Sequence, residues 1–297
     1  MKNHKKITKA VIAAAGYGTR FLPATKNQPK EMLPIIDKPI IHYLVEEAVE
    51  SGISDIIIVT RAGQNIMEDY FDNNLALEYS LEKSEKIESL AMVREIPQIA
   101  NFVYVRQKRH MPYGNATPIK VVQNLIDDDE AFVYMFGDDM TLAKGKPVTK
   151  QLIDIFQEQG ADAILAVQEV PDEEIYRYGT VKYKENAQYR YEMEAGYEKL
   201  PKGQAPSNMA LFGRFVFSYD VIRTVSSTPP GKDSELWVMD VLNKMATEGK
   251  KVIAQPIDGE WLTTGDPLRY LKTTLRFALE REDLAKDLKQ YIKSLNL

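Results

Sequence analysis

The chain has 297 residues, no cysteine and a formal net charge of −5 at pH 7. The lack of cysteine excludes disulfide bridges and thiolate metal sites, and it is consistent with the reducing cytoplasm, where we expect the protein to act. The acidic balance argues against non-specific binding to nucleic acid, which needs a basic surface, and no apolar run approaches the roughly 20 residues that cross a bilayer.

The first half of the chain alternates strand-like and helical patterns. Strands are predicted at Ala10–Ala14, Asp55–Thr60, Phe102–Arg106 and Phe132–Phe136, and helices at Ile40–Glu50, at Glu68–Leu90 with breaks, and at Thr117–Ile126. This alternation predicts an α/β fold of Rossmann-like type, with a mixed, mainly parallel sheet flanked by helices. Because such sheets bind ligands at the carboxyl ends of their strands, the segments after the first and fourth predicted strands should share one edge.

The second half begins with a helix and then becomes richer in strands and turns. A helix is predicted at Thr149–Gln159, strands at Asp162–Val167, Tyr178–Tyr183, Tyr189–Glu194 and Met209–Ser218, and helices at Ser234–Glu248 and from Pro267 to the end. Within the last helix, the charge-laced pattern Glu280–Lys293 is typical of a solvated face, with an oligomer contact as the alternative. We predict one domain over residues 1–297.

A glycine-rich, cationic loop follows the first predicted strand, with the sequence AAAGYGTRFLPATKNQPKEMLP at residues 13–34. Its glycines, hydroxyl and cations are Gly16, Gly18, Thr19, Arg20, Lys26 and Lys30. Glycines let backbone amides approach an anion closely, and the cations suit a polyphosphate. From Gly16 to Lys38 there are four cations and two acids, so positive charge is concentrated against the acidic background of the chain. The loop therefore predicts a site for a nucleoside triphosphate.

Two other interpretations of this loop were weighed. The dinucleotide fingerprint G-x-G-x-x-G fits Gly16 and Gly18 but has Phe21 in its third position. Three prolines also oppose the long helix that this fingerprint requires, namely Pro23, Pro29 and Pro34. A simple tight turn after a strand would explain the glycines alone, but it does not explain the cations beside them.

The string GYGTRFLPATK…PKEMLPIIDKPII resembles the bacterial UTP–glucose-1-phosphate uridylyltransferases of the sugar nucleotidyltransferase superfamily. Later motifs occur in the family's order: YVRQK at 104–108, GDD at 137–139, YGT at 178–180, EK at 198–199 and APSNMALFGRF at 205–215. The resemblance runs from about Lys9 to about Tyr270. It implies a nucleotide-binding part at 1–170, a smaller β-rich sugar-binding part at 171–266 and a C-terminal helix at 267–297.

The resemblance also implies a reaction in which an oxygen of glucose 1-phosphate attacks the α-phosphorus of UTP and expels pyrophosphate. Such a transfer depends on charge neutralisation and in-line positioning. Asp138 would bind Mg²⁺, which typically uses one or two protein carboxylates with substrate oxygens and water. Arg20 and Lys30 would hold the triphosphate, and Lys199 would contact the sugar phosphate.

The remaining roles implied by the resemblance concern the base, the phosphates and the sugar. The expected nucleotide contacts are Ala14, Ala15, Gly16, Gly18, Thr19, Gln107 and Gly114, and the expected sugar contacts are Gly179 and Glu198. Gln107 would read uracil, because its amide offers both a donor and an acceptor. We also expect a homo-oligomer, either a dimer or a tetramer, and no nucleic-acid or membrane partner.

Two departures from the family's pattern bear on the nucleotide and metal sites, and a third, Leu200 in place of a proline, should matter less. Pro112–Ala116 (PYGNA) stands where the family has Gly-Leu-Gly-His-Ala, and Thr263 stands where a Tyr-Asp-x-Gly motif supplies a second metal carboxylate. Acids near Thr263 in sequence are Asp258, Glu260 and Asp266. One of these could replace the missing ligand, or Asp138 could hold the ion with substrate oxygens. A catalytically silent regulatory relative, and a sister enzyme that uses dTTP, CTP or another sugar phosphate, therefore stay open as alternatives.

Overall fold

The computed structural model describes residues 6–295, so the first five residues and the last two of the predicted 1–297 domain lie outside it. The strands are β1 (Lys9–Ala13), β2 (Pro34–Ile35), β3 (Lys38–Pro39), β4 (Asp55–Thr60), β5 (Asn101–Arg106), β6 (Ala131–Phe136), β7 (Asp139–Leu142), β8 (Ala163–Glu169), β9 (Gly179–Tyr183), β10 (Met193–Glu198), β11 (Met209–Ser218), β12 (Val252–Pro256) and β13 (Glu260–Thr263). The helices are α1 (Ile40–Glu50), α2 (Ile66–Tyr70), α3 (Leu75–Lys83), α4 (Ile87–Glu95), α5 (Thr117–Val121), α6 (Val148–Gln159), α7 (Asp220–Ser227), α8 (Val238–Thr247), α9 (Pro267–Glu280) and α10 (Glu282–Ser294).

One nine-stranded sheet organises the molecule. Its main path runs β10-β9-β11-β6-β1-β4-β5, and β8 pairs with both β11 and β12. Strands β5, β4, β1, β6, β8, β9 and β12 point in one direction, whereas β11 and β10 run against them. The predicted α/β class, with a mixed and mainly parallel sheet flanked by helices, is confirmed.

Helices cover both faces of the sheet, because successive side chains of each central strand point to opposite sides. Ile12 of β1 packs with apolar residues of α1 and α6, whereas its neighbour Val11 packs with those of α5, α7 and α8. Helix α1 has the predicted bounds, since its buried positions include Ile40, Leu44 and Ala48 at four-residue spacing on one face. Within residues 6–295, none of the helices has the length and apolarity needed to span a bilayer.

Several predicted elements differ from the observed ones. The strand predicted at Tyr189–Glu194 is wrong over most of its length, because Tyr191 has a left-handed backbone with φ 64° and β10 begins only at Met193. The helix predicted from Ser234 begins at Val238, since the preceding residues are extended. The single helix predicted from Pro267 to the end is instead two helices, α9 and α10, because Arg281 between them is extended. The sequence interpretation also missed β2, β3, β7, β12, β13 and α7.

Parallel pairing brings the predicted functional segments to one edge. Ala13 at the end of β1 lies opposite Phe136 at the end of β6, and the amide of Gly137 donates to the carbonyl of Ala13 at 3.0 Å. The loop that follows β1 and the GDD motif that follows β6 therefore meet, as predicted. The ribbon of β7 and β13 then places Thr263 opposite Asp139, above the same edge.

Candidate active site

The cationic loop folds into a compact turn around Gly18. This glycine has φ 62° and precedes a single helical turn at Thr19–Phe21, while the hydroxyl of Thr25 donates to its carbonyl at 2.7 Å. A β-carbon at position 18 would lie only 3.2 Å from Cγ2 of Thr25, so glycine is required by both conformation and space. The turn directs Arg20 towards α9, where its Nη1 donates to the carbonyl of Gly265 at 3.1 Å.

Lys30 and Asp138 form an ion pair beneath this turn. Although burial opposes the charge on Lys30, the carboxylates of Asp138 and Glu31 outweigh it and raise the pKa of the lysine. Burial likewise acts to raise the pKa of Asp138, but the ammonium of Lys30 dominates and lowers it. Both groups are therefore charged at neutral pH. A cation and an anion are held ready at the phosphate site before any substrate arrives.

Glu31 is a buried acid that the sequence interpretation did not single out. Its side chain is 1% exposed, its Oε2 has no hydrogen-bond partner among residues 6–295, and burial raises its pKa to about 7 against the opposing charge of Lys30. Gly137 packs against it, because a β-carbon there would lie 2.7 Å from Cγ of Glu31 and 2.8 Å from the carbonyl oxygen of Ala13. In the sequence, the available signal for this acid was its place in the PKEMLP segment, directly after the predicted phosphate contact Lys30.

The two aspartates of the GDD motif have different surroundings. Asp138 lines the cleft, whereas Asp139 accepts hydrogen bonds from Nε1 of Trp261 and from the amide of Gly213, both at 2.8 Å. Burial and the neighbouring charge of Asp138 raise the pKa of Asp139 to about 6. Asp139 therefore belongs to the packing beneath the site, and Asp138 is the carboxylate that can meet a ligand.

A cleft of about 600 Å³ unites most of the predicted phosphate contacts. It is lined by Gly16, Tyr17, Gly18, Thr19, Arg20, Phe21, Lys30, Tyr113, Asp138 and Gly265. Among these lining residues Asp138 is the only carboxylate, and no group of three or more histidines or acids within residues 6–295 is placed to hold a metal ion. The donor set thus matches a hard cation that takes one protein carboxylate and draws its other ligands from phosphate oxygens and water.

Two smaller pockets, each of about 280 Å³, adjoin this cleft and share Ala15, Gln107 and Tyr113. The first also contains Gly114 and Trp237, and the second contains three cations, Arg61, Lys108 and Arg109. The predicted base contacts Ala15, Gln107 and Gly114 are thus brought together. Ala14 is fully buried, its amide donates to the carbonyl of Val59 at 2.9 Å, and it is not among the residues that line these pockets, so the structure does not bring this predicted contact to their surface.

The segment that contains Gly114 is fixed by the strand-like residues before α8. Leu236 exchanges backbone hydrogen bonds with Tyr113 and Ala116, at 2.8 and 2.9 Å. Gly114 has φ 127°, and a β-carbon there would lie 2.3 Å from the carbonyl oxygen of Leu236. Asn115 accepts a hydrogen bond from the amide of Val238 at 2.7 Å, which caps the first turn of α8. The departure from the family's pattern at position 115 therefore has a structural use.

The predicted sugar contacts lie together on β9 and β10, at the lateral edge of the sheet opposite to β5. Gly179 lies opposite Glu198 in the β9–β10 pair, and a β-carbon at Gly179 would lie 3.2 Å from Oε2 of Glu198. Lys199 follows with a left-handed backbone, φ 48°, and its Nζ lies 3.5 Å from Oε1 of Glu198. Burial raises the pKa of Glu198, and the ammonium of Lys199 opposes this rise.

Thr263, the second departure, lies next to Asp138 but does not contribute a carboxylate. Its Oγ1 accepts from the amide of Gly265 at 3.2 Å, while Thr264 donates to the carbonyl of Asp138 through its amide and hydroxyl. Two of the three nearby acids are engaged elsewhere. Asp266 caps α9 and pairs with Arg269, and Glu260 pairs with Arg276 at the far end of the ribbon.

The profile of the nucleotidyl transferase family matches residues 9–278 of the chain. The chain belongs to this family. It is 41% identical to a UTP–glucose-1-phosphate uridylyltransferase of Staphylococcus epidermidis, over 99% of the chain and 100% of the relative. It is also 41% identical to the enzyme of that name from Bacillus subtilis, over 98% of both chains. The resemblance to the bacterial uridylyltransferases is therefore confirmed, and the chain is a member of that group of enzymes.

Solved structures give the same family. A UDP-glucose pyrophosphorylase complexed with UDP-glucose superposes with a TM-score of 0.81 and 35% identity, covering 93% of this chain and all of the other. A UTP-bound enzyme from Acinetobacter baumannii superposes with a TM-score of 0.85 and 33% identity, covering 98% of this chain and all of the other. Enzymes of the family generally use a divalent metal ion.

Proposed function

We propose that the protein transfers a uridylyl group from UTP to glucose 1-phosphate, which gives UDP-glucose and pyrophosphate. The observation that carries this proposal is the cleft in which the glycine turn, Arg20, Lys30 and Asp138 meet. The relatives in the family, which bear the name of this activity, and the neighbours solved with UTP or UDP-glucose support the same reaction.

Catalysis by these residues consists of positioning and neutralisation. Arg20 and Lys30 face the phosphate cleft, so they hold the triphosphate and stabilise charge that develops on the departing pyrophosphate. Incoming phosphate oxygens compete for the ammonium of Lys30 and so free the carboxylate of Asp138. Asp138 would hold the divalent ion, which we propose is Mg²⁺ and which would neutralise phosphate charge when bound.

The base and the sugar occupy the two sides of this cleft. We assign uracil to the pocket of Ala15, Gln107 and Gly114, where the Gln107 amide can pair with the donor and acceptor of the base edge. We assign glucose to Glu198 and Gly179, because a carboxylate accepts sugar hydroxyls and a glycine lets the ring approach the backbone. Residues 1–170 would then bind the nucleotide and 171–266 the sugar, within a single domain.

The direct test is pyrophosphate release from UTP and glucose 1-phosphate with Mg²⁺, compared with dTTP, CTP and other sugar 1-phosphates. We expect the highest kcat/KM for the first pair and loss of turnover in EDTA. Highest turnover with another nucleotide or sugar phosphate would assign the chain to a sister activity. No turnover with any pair would contradict the proposal.

A catalytically silent regulatory relative is the second candidate, because position 263 contributes no carboxylate beside Asp138. Calorimetry that shows UDP-glucose binding without turnover, together with a stable complex with an active homologue, would favour it. The Thr263→Asp variant separates the two candidates further. Restored turnover in this variant would identify the missing carboxylate as the cause of the silence.

We also propose that the enzyme is a cytoplasmic homo-oligomer. Large apolar side chains on α3 and α4 are exposed, with Leu75, Tyr79, Ile87 and Met92 between 64% and 75% accessible. Clusters of this kind favour contact with another protein surface. Size-exclusion chromatography with light scattering should give the molar mass of a dimer or a tetramer. A monomer at all concentrations would refute this assignment without touching the proposed reaction.

A further inference from the structure

Trp237 lies at the junction between the nucleotide pocket and the sugar strands. It lines the same 280 Å³ pocket as Gln107, Gly114 and Asp138, and its ring is partly exposed to that space. The residues assigned above to base, phosphate and sugar do not include it. Its position raises the question of what an indole contributes between two polyanionic substrates.

The indole is held from both of its flanks. Its Nε1 donates to the carbonyl of Lys232 at 3.1 Å. Its chain neighbours Leu236 and Val238 form hydrogen bonds with residues 113–116, the nucleotide segment. Leu236 bonds to the backbone of Tyr113, and Val238 bonds to the side chain of Asn115. A ring anchored in this way is a fixed surface, so a group that rests on it is also fixed.

The group that rests on it is Lys199. The Nζ of this lysine lies 5.4 Å from the centroid of a ring of Trp237, within the range in which an aromatic face attracts a cation. The lysine side chain is 46% exposed, and its contact with Glu198 is a long one of 3.5 Å. A lysine side chain is flexible and loses rotamer freedom when it is held in one place. The indole therefore restrains an ammonium that the carboxylate alone holds loosely.

Met239 extends this connection from the indole to the sugar strands. A β-carbon at Gly196 would lie 1.8 Å from its Sδ, and one at Gly179 would lie 3.4 Å from its Cε. The amide of Gly196 in turn donates to the side chain of Asn243 on α8 at 2.7 Å. The start of α8 is thus packed on β9 and β10 and bonded to the nucleotide segment, with Trp237 between the two.

We infer that Trp237 is a positioning residue for Lys199: its indole face holds the ammonium where the phosphate of a hexose 1-phosphate meets the bound nucleotide. The inference rests on the proposed function, since it takes Lys199 as the contact of the sugar phosphate. It assigns to Trp237 an effect on the sugar phosphate that is separate from nucleotide binding.

The first test compares Trp237→Leu with Trp237→Phe, which keeps an aromatic face. In Trp237→Leu we expect kcat/KM for glucose 1-phosphate to fall about 3- to 30-fold, the range that a cation–π contact spans, while KM for UTP, whose proposed base pocket the indole also lines, rises by a smaller factor. Trp237→Phe should recover most of that loss. Equal loss in both variants, or an equal rise in both KM values, would overturn the inference. Unfolding in urea shows whether each variant is folded.

A double-mutant cycle tests whether the effect passes through Lys199. In a Lys199→Ala background, Trp237→Leu should lower kcat/KM for glucose 1-phosphate by less than about twofold, because the cation it positions is gone. Full additivity would contradict a positioning role. Wild-type turnover is measured first: if it is absent the proposed function fails, whereas turnover with an additive cycle removes only this inference.

Fluorescence gives a readout that does not depend on turnover. The chain has two tryptophans, so Trp237→Phe leaves Trp261 as the only one. Titration of the wild type with UDP-glucose should give a saturable change in emission, since phosphate that pairs with Lys199 alters the charge over the ring. The change should be lost in Trp237→Phe and strongly reduced in Lys199→Ala. An unaltered signal in Trp237→Phe would show that the indole does not sense the ligand.

Discussion

The two lysines of the site are held in different ways, and the difference separates stability from function. Lys30 is 19% exposed and is paired with Asp138 on the floor of the cleft, so its charge is part of the packed interior. Lys199 is 46% exposed. It follows β10 with a left-handed backbone, and its ammonium rests on the aromatic face of Trp237. Removing the first charge should affect both folding and catalysis, whereas removing the second should affect catalysis alone.

Lys30→Met should have the largest effect. Loss of the ammonium removes the proposed phosphate contact and the ion-pair partner of Asp138, so we expect kcat/KM to fall on the order of 10²- to 10³-fold and the free energy of unfolding to fall by about 2 kcal/mol. Steady-state kinetics and urea unfolding measure the two quantities. Lys26→Met, at an exposed position in the same loop, is the control and should change neither appreciably. Full stability in Lys30→Met would show that the ion pair is not structural.

Lys199→Ala sharpens the comparison from the other side. We expect kcat to fall by about 10²-fold, while the free energy of unfolding stays within about 0.5 kcal/mol of the wild type, as for other exposed substitutions. Lys202→Ala, a nearby exposed lysine that lies over Tyr176, is the matched control for kinetics. An unchanged kcat in Lys199→Ala would contradict the assignment of Lys199 as the contact of the sugar phosphate.

Gly114→Ala tests the segment around Gly114, which joins the nucleotide pocket to the start of α8. The added methyl would meet the backbone of Leu236 at φ 127°, so we expect a loss of about 1–3 kcal/mol in the free energy of unfolding and a rise in KM for UTP. Gly145→Ala is the control, because Gly145 also has a positive φ, 102°, but has nothing within 4 Å of its β-carbon position. Equal destabilisation of the two variants would show that the clash with Leu236 is unimportant.

The pH dependence of stability should report on Glu31, with a smaller effect. Its pKa in the folded protein is about 7 against an ordinary value of 4.5, so the folded state binds the proton more tightly. The stabilisation is complete below about pH 4.5 and is lost as pH rises through 7. Asp139, with a pKa of about 6, adds to this in the same direction.

Glu31→Gln isolates the contribution of Glu31. Urea unfolding in EDTA at pH 5 and pH 8 should show a smaller difference between the two conditions in Glu31→Gln than in the wild type. The same difference in both proteins would mean that Glu31 does not titrate in this range.

Local patterns were sufficient for the central strands β1, β4 and β6 of the sheet and for the edge at which they end. Helix α1 and strands β4 and β11 have the predicted bounds, because their apolar runs are long and regular. The glycine loop and the GDD motif could be placed together because parallel strands align their ends. Resemblance then supplied the roles of Gln107 and Lys199, which as isolated residues look like ordinary surface positions.

What the sequence could not supply are contacts between distant segments. Asp139 is removed from the cleft by Trp261, a residue 122 positions away, and nothing in the GDD motif distinguishes the two acids. Trp237 meets Lys199 only because α8 packs on β10. Tyr191 adopts a left-handed backbone, which strand propensity does not foresee for an aromatic residue.

Helix α9, from the opposite end of the chain, packs behind the wall of the cleft. Arg20 reaches the carbonyl of Gly265 just before this helix, Tyr270 donates to the carbonyl of Pro34, and the rings of Phe21 and Tyr270 meet edge to face at 5.7 Å. A truncation that deletes α9 would therefore remove the ring that packs on Phe21, a residue of the cleft wall, together with the contact to Pro34. A C-terminal deletion intended to shorten the protein should therefore leave α9 in place.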